Sequence, residues 1–175
     1  MTGSYAAAQG PLCEGAAVSV FLLPVSTQDY AIFLEQAADT YVVGATHSGE
    51  MTIEQARARA DADLKALLPA RPQTPGMLLR TITVDGDWVG HIWLGVRGSA
   101  EAKYGWVWSV YVDPQHRGQG YAELAVRLVE AEALDQFGVT EVRLNVFAAN
   151  RGAIRLYERF GYAVISQVMR RTVRP

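Results

Sequence analysis

Two hydrophobic rhythms divide this chain. Val18 to Leu23 is a short apolar run closed by Pro24 and reads as a buried strand. Beyond it, Tyr30, Phe33, Leu34, Ala37 and Tyr41 recur at helical spacing, and Ser26 with Asp29 three places on forms a capping-box signature for that helix. "GATHSGEM", residues 44–51, is expected to be a loop. Thr52 with Gln55 makes a second capping box, and "IEQARARADADLKALL" continues as a charged amphipathic helix up to Pro69. After the turn-rich "ARPQTPG", Met77 to Val84 and Trp88 to Val96 predict two strands joined through Asp85-Gly86, a strong hairpin signal. "RGSAEAKYG", residues 97–105, is expected to be a mobile loop, and Trp106 to Val112, aromatic and β-branched, the next strand. A third helix is predicted to run to Phe137 and stop at Gly138. Its buried stripe is read as Leu124, Ala125, Leu128, Ala131 and Leu134, with Glu123 and Arg127 as an exposed pair. Glu141 to Val146 alternates as a half-buried strand should, Asn150 can cap a fourth helix ending at Gly161, and Tyr162 onward predicts a last strand or two. The order β-α-α-β-β-β-α-β-α-β implies an α/β (α+β) fold: a mixed sheet with helices packed on it.

Composition narrows the classes. A length of 175 residues, half of them hydrophobic, supports one domain with a real core, read here as residues 17–175 behind a loose tail, 1–16. A net charge of −2 and a pI near 5.9 argue against nucleic acid or an anionic membrane as partner. Cys13 is alone, so no disulfide framework exists, and Val18 to Leu23 is too short for a signal-peptide core or a membrane span. The expectation is a soluble cytoplasmic protein, monomer or homodimer, without a metal site.

The chemistry concentrates in "VDPQHRGQGYAE", residues 112–123. A helix begins with backbone N–H groups that lack intrahelical partners, and its dipole adds positive potential there. Gly118 and Gly120 keep side chains out of the way, so a phosphate is the natural guest. The alternative is a plain strand-to-helix turn whose glycines serve only the bend. "GQGYAE" lacks the Lys and Ser/Thr of a nucleoside-triphosphate loop. It also carries Glu123 where the dinucleotide fingerprint needs its third small residue, and the preceding strands form a hairpin instead of a parallel βαβ unit.

Gln115, Gly118 and Gly120 match a Q-x-x-G-x-G segment directly after "VYVDP". About thirty residues on, "NRGAIRLYERFGY" matches N-x-x-A-x-x-x-Y-x-x-x-G-F/Y at Asn150, Ala153, Tyr157, Gly161 and Tyr162. In this order and spacing the pair resembles the GNAT superfamily of acyl-CoA-dependent N-acyltransferases, over about residues 106–165. The resemblance implies a largely antiparallel sheet splayed between its fourth and fifth strands, with about four helices. The pantetheine arm of acetyl-CoA, the acyl donor, would lie in that splay against Val110, Tyr111 and Val112. The amides from Arg117 through Gly118, Gln119, Gly120 and Tyr121 to Ala122 would hold the pyrophosphate. Asn150 and Ala153 open the fourth helix beside it, Asn150 as helix cap alone or as cap plus cofactor contact.

The resemblance also implies that Tyr157 is the general acid. A phenol with pKa about 10 stays protonated at neutral pH and can deliver its proton to the departing thiolate. The alternative is that Tyr157 only packs its helix against the sheet. Many family members carry a Glu in the fourth strand to deprotonate the amine, and the match puts Trp108 there, between Val107 and Ser109. No carboxylate stands at that position, which leaves a water relay, or a base from elsewhere such as His91 or Glu101. His91 reads equally as a structural histidine among apolar strand residues. Trp93, Trp106 and Trp108 are core residues by default, with Trp106 and Trp108 as candidate walls of the acceptor pocket. His47 and Glu50 in the 44–51 loop are candidates for specificity.

The expected function is therefore transfer of an acetyl group from acetyl-CoA to a primary amine, a small molecule or a peptide, by direct attack in a ternary complex. The alternative is a non-catalytic acyl-CoA-binding sensor of the same fold, and a dinucleotide-binding protein ranks behind both.

Overall fold

The computed structural model describes residues 7–10 and 18–173. Six strands lie in one sheet in chain order: β1 (Ala7–Gly10), β2 (Val18–Pro24), β3 (Met77–Val84), β4 (Asp87–Gly98), β5 (Lys103–Val112) and β6 (Val142–Leu144). All neighbours are antiparallel except β5 and β6, which run parallel. Helices α1 (Tyr30–His47) and α2 (Ile53–Leu67) cover one face. Helix α3 (Tyr121–Phe137) covers the other, with α4 (Arg151–Arg159) beside it. The mixed sheet expected from the element order is present, and it is largely antiparallel, as the family resemblance implies.

The central strands read as near-continuous apolar runs because both their faces are buried. Leu78, Ile82, Ile92 and Leu94 pack on α3 through Val126 and Val129, while Leu79 and Trp93 pack with Tyr30, Phe33 and Leu68 on the opposite face. Asp85 and Gly86 both take positive φ (51° and 96°), as a tight two-residue hairpin requires. A largely buried ion pair ties α3 to the sheet. The Arg80 guanidinium grips the Glu132 carboxylate, with Nε at 3.1 and 2.9 Å from its two oxygens. Capping is complete at α2, where the Gln55 amide donates to Thr52 Oγ1 (3.3 Å) and the Thr52 amide to Gln55 Oε1 (3.0 Å).

Several boundaries differ from the sequence reading, each for a physical reason. Only half of the Ser26–Asp29 box forms: the Asp29 amide donates to Ser26 Oγ (3.0 Å) while the Ser26 hydroxyl donates to the Asp29 carboxylate (2.6 Å), closing a turn ahead of α1, whose N-cap is Asp29 without a side-chain cap bond. Residues 44–47 are helix, not loop. Gly44 is there for close packing, since a Cβ at that position would fall 2.3 Å from the Phe147 ring. The 97–105 loop shrinks to 99–102 because β4 and β5 pair out to Gly98 and Lys103. On α3 the expected stripe holds at Ala125 and Leu128, then turns outward, leaving Ala131 and Leu134 exposed. Steps of three residues drift about 60° each around a helix of 3.6 residues per turn, and the true stripe advances through Val126, Val129 and Ala133.

The strand expected over 141–146 pairs only at Val142–Leu144. Beyond Tyr162 no strand forms among the described residues. The apolar residues Val164, Ile165, Val168, Met169 and Val173 share no alternating face and are exposed, and Arg170 reaches the Gly49 carbonyl at 2.5 Å. The tail expected over 1–16 contains a strand, Ala7–Gly10, paired with β2; residues 1–6 and 11–16 lie outside the described residues. No helix among the described residues is long and apolar enough to cross a membrane.

Candidate active site

The site is built on a defect in β5. Trp93 pairs with Ser109 but Leu94 pairs with Val107, so Trp108 is an extra residue, a β-bulge. The bulge turns both Trp108 and Ser109 toward the α1 face: Trp108 stacks on Trp93 (5.5 Å between centroids) and Ser109 bonds His91. Pairing with β6 ends at the same place, at Val107 opposite Leu144, while β5 continues to Val112. The two strands therefore part at the bulge, and these are the fourth and fifth strands of the sequence reading.

Beyond the bulge, one edge of β5 is open. The Asp113 amide donates to the Val89 carbonyl at 2.9 Å, and alternation along an antiparallel ladder then turns Tyr111 toward β4 and Val110 and Val112 toward the splay. Arg117 Nε donates to the Val112 carbonyl at 2.9 Å, in keeping with that direction. The Tyr111 ring stacks on His91 (5.5 Å), so Tyr111 belongs to the closed side of the strand.

The turn after β5 leads into α3 through two left-handed residues, Gly118 (φ +78°) and Gly120 (φ +79°), the latter being the N-cap with no side chain to cap the helix. A Cβ at Gly118 would meet open space. Among the described residues, the amides from Gly118 to Glu123 donate to no protein group; the helix bonds begin with Leu124 to the Gly120 carbonyl. The Arg117 amide points back at the Pro114 carbonyl (3.5 Å), so the free run starts one residue later and ends one later than the sequence reading had it. Glu123, in the first turn, faces Arg127 (3.3 Å) and Arg159 (3.9 Å). The Tyr121 ring is buried in the core, its hydroxyl on Gln119 Oε1 at 2.9 Å. Six unpaired amides at a helix N-terminus, next to an unpaired strand edge, make an anion seat joined to a slot for an extended amide-bearing chain.

Tyr157 lies on the α3 face with Val110, Val112, Leu124 and Leu144. Among the described residues its hydroxyl makes no hydrogen bond, and burial, with the Glu130 carboxylate adding to it, pushes its pKa up to about 12. Its ring sits edge-on to Tyr162 (5.4 Å), whose hydroxyl donates to Glu130. Asn150 is a helix cap: its Oδ1 accepts from the Ala153 amide at 3.1 Å.

On the α1 face, Trp106 and Trp108 form the aromatic wall, 5.9 Å apart, with the Arg97 guanidinium 5.4 Å from the Trp108 ring centre. The indole N–H groups of Trp93 and Trp108 are buried without a partner among the described residues. His91 is 2% exposed; burial alone drops its pKa to about 3, so the ring is neutral. His47 and Glu50 are exposed near the α1–α2 turn, and Glu101 is exposed in the 99–102 loop.

Three residues drawn into the site were missed in the sequence. Ser109 and Gln36 hold the two nitrogens of His91, and Glu130 holds Tyr162. Gln36 carried a readable signal, being a polar residue three places from Phe33 on the buried side of α1.

The sequence profile described as the Acetyltransferase (GNAT) family matches residues 52–162. The N-acetyltransferase YycN of Bacillus subtilis (strain 168) is 25% identical over 153 residues, covering 87% of this chain and 97% of YycN. Its crystal structure superposes with a TM-score of 0.80 over 89% of this chain and 99% of that one. The mycothiol acetyltransferase of Kytococcus sedentarius is 32% identical over 151 residues, 86% of this chain and 46% of the longer relative.

Proposed function

Since this chain belongs to the GNAT acetyltransferase family and is an acyltransferase of that type, we propose that it moves an acetyl group from acetyl-CoA to a primary amine by direct attack in a ternary complex. One observation carries the reading: six consecutive unpaired amides, Gly118 to Glu123, open onto the unpaired edge of β5. The amides hold the diphosphate, and Val110 and Val112 pair with the amides of the pantetheine arm. Arg117, now on the Val112 carbonyl, yields that acceptor to the arm and turns to the phosphates.

With the thioester beyond the bulge, an N–H of the open β5 edge stabilises the oxyanion. Tyr157 then gives its proton to the thiolate. Its raised pKa keeps that proton in place through the neutral range. The acceptor enters from the α1 face, between Trp106, Trp108 and the α1–α2 turn. Asn150, as helix cap, leaves its amide N–H groups for the cofactor, with Ala153 beside it.

Calorimetry with coenzyme A and thiol release from acetyl-CoA with a panel of primary amines test the proposal. The expected result is binding plus release with at least one amine. Trp108, standing where a carboxylate would activate the amine, favours a second reading, an acyl-CoA sensor. Tight binding without release across the panel would establish that reading instead.

A further inference from the structure

Three uncharged groups, the partly buried Gln36 and the buried His91 and Ser109, form a chain from helix α1 to the bulge of β5. The Gln36 side-chain oxygen lies 3.2 Å from His91 Nδ1, and His91 Nε2 lies 2.9 Å from Ser109 Oγ. With a carbonyl oxygen facing Nδ1, the ring proton sits on Nδ1, so Nε2 accepts and the Ser109 hydroxyl donates. Phe33 and Tyr111 clamp the ring at 4.8 and 5.5 Å, fixing its plane.

Ser109's donor is thereby committed, and its two lone pairs accept from no group among the described residues. Ser109 is also the first residue of β5 beyond the bulge, opposite no residue of β6, on the α1 face, whereas Tyr157 lies on the α3 face. A thioester in the splay is flanked by the two.

We propose that Ser109 is the acceptor-facing catalytic residue of this enzyme, its lone pair receiving a hydrogen bond from the attacking amine, and that His91 is the residue positioning it. The inference rests on the acetyltransferase reading above. The amine nitrogen bonds the carbonyl carbon, the carbon–sulfur bond breaks, and sulfur takes the Tyr157 proton. The surplus proton on nitrogen leaves to water, and water reprotonates Tyr157. Ser109 orients and stabilises the N–H but does not keep the proton. An amide oxygen, Gln36, ends the chain and cannot receive the Nδ1 proton, and among the described residues no carboxylate is bonded to His91 to stabilise an imidazolium. The depressed pKa of His91 agrees with a ring that stays neutral throughout.

The test compares wild type with Ser109→Ala, Ser109→Thr, His91→Phe and His91→Gln. Each is measured for coenzyme A affinity by calorimetry and for thiol release with the amine of the panel (a diamine, an L-amino acid, an aminoglycoside, a short peptide with a free N-terminus) that serves wild type best. Coenzyme A affinity should stay within about twofold throughout, while kcat falls about 10- to 100-fold in Ser109→Ala and His91→Phe. Ser109→Thr, which keeps the hydroxyl, and His91→Gln, which restores an acceptor, should recover most of it. Wild-type kcat in Ser109→Ala, or equal loss in all four variants with coenzyme A binding intact, overturns the assignment. Mass-spectrometric trapping of an acetylated Ser109 overturns it too, in favour of a nucleophile. Wild type that ignores coenzyme A, or binds it without release, overturns the underlying reading itself.

Discussion

Replacing His91 by Gln removes a titrating group from the interior while leaving Ser109 an acceptor, and this isolates the acid sensitivity that one buried imidazole imposes. In the folded chain its pKa is about 3; in the unfolded chain it returns to about 6.5. Between these values the unfolded state binds the extra proton, so stability is complete above pH 6.5 and declines as pH falls toward 3. Integrating the linkage with these two values gives a loss of about 2 kcal/mol between pH 7 and pH 5. Every other group of the chain is common to the two proteins, so its contribution cancels in the difference. Urea unfolding followed by the fluorescence of the four tryptophans, all in β4 and β5, measures it. Wild type should lose about 2 kcal/mol more than His91→Gln over that interval, whatever the offset between them at pH 7. If the two lose the same amount, His91 is not held neutral by burial, and the account of the Ser109 chain fails with it.

Tyr157→Phe should lower kcat by about 10²- to 10⁴-fold with acetyl-CoA affinity and melting temperature nearly unchanged, because the hydroxyl has no partner among the described residues to lose; steady-state kinetics and a thermal melt check both. Gly118→Ala puts a Cβ on a left-handed residue and should cost about 1–2 kcal/mol of stability. Its methyl group enters the space before the free amides, so coenzyme A affinity by calorimetry should fall about tenfold or more, equivalent to about 1.4 kcal/mol. Glu132→Ala strands the largely buried Arg80 charge and should cost up to about 3 kcal/mol in urea unfolding, while the double variant Arg80→Met/Glu132→Leu regains most of it.

What could be read from the chain was whatever depends on local chemistry. The Thr52 cap, the Asp85-Gly86 turn, the two positive-φ glycines and the Asn150 cap each need one residue type at one place, and all were legible. Positions set by a distant partner were not. Gly44 looked like a loop glycine because Phe147, against which it packs, lies about a hundred residues away in sequence. The bulge at Trp108 leaves no mark in an alternating strand, since it is a property of the register with β4. Without the bulge, Trp108 and Ser109 belong to opposite faces, and Ser109 could not be seen to share a face with His91 and Gln36. The C-terminal strand failed for the opposite reason: its apolar content suggested a strand, but content without alternation offers the sheet no face to bury.

The bulge also accounts for the missing carboxylate. At a regular strand position, one residue faces the α1 side and its neighbours face α3, so a single side chain would have to serve both as pocket wall and as partner of the amine. Here two consecutive residues face the same side. Trp108 stacks on Trp93, which makes the surroundings apolar, and a carboxylate in its place would be desolvated against the Trp93 indole, burial raising its pKa and the Arg97 guanidinium lowering it. Ser109 offers an acceptor that needs no charge and therefore no counter-ion. A neutral acceptor cannot take a proton from an alkylammonium of pKa about 10.4, so on the proposed reaction a peptide N-terminus of pKa about 8, with about a tenth of its population neutral at pH 7, should release thiol faster than a lysine side chain in the same assay. Arg97, 5.4 Å from the centre of the Trp108 ring, would lower the pKa of an amine close to it and so work in the same direction.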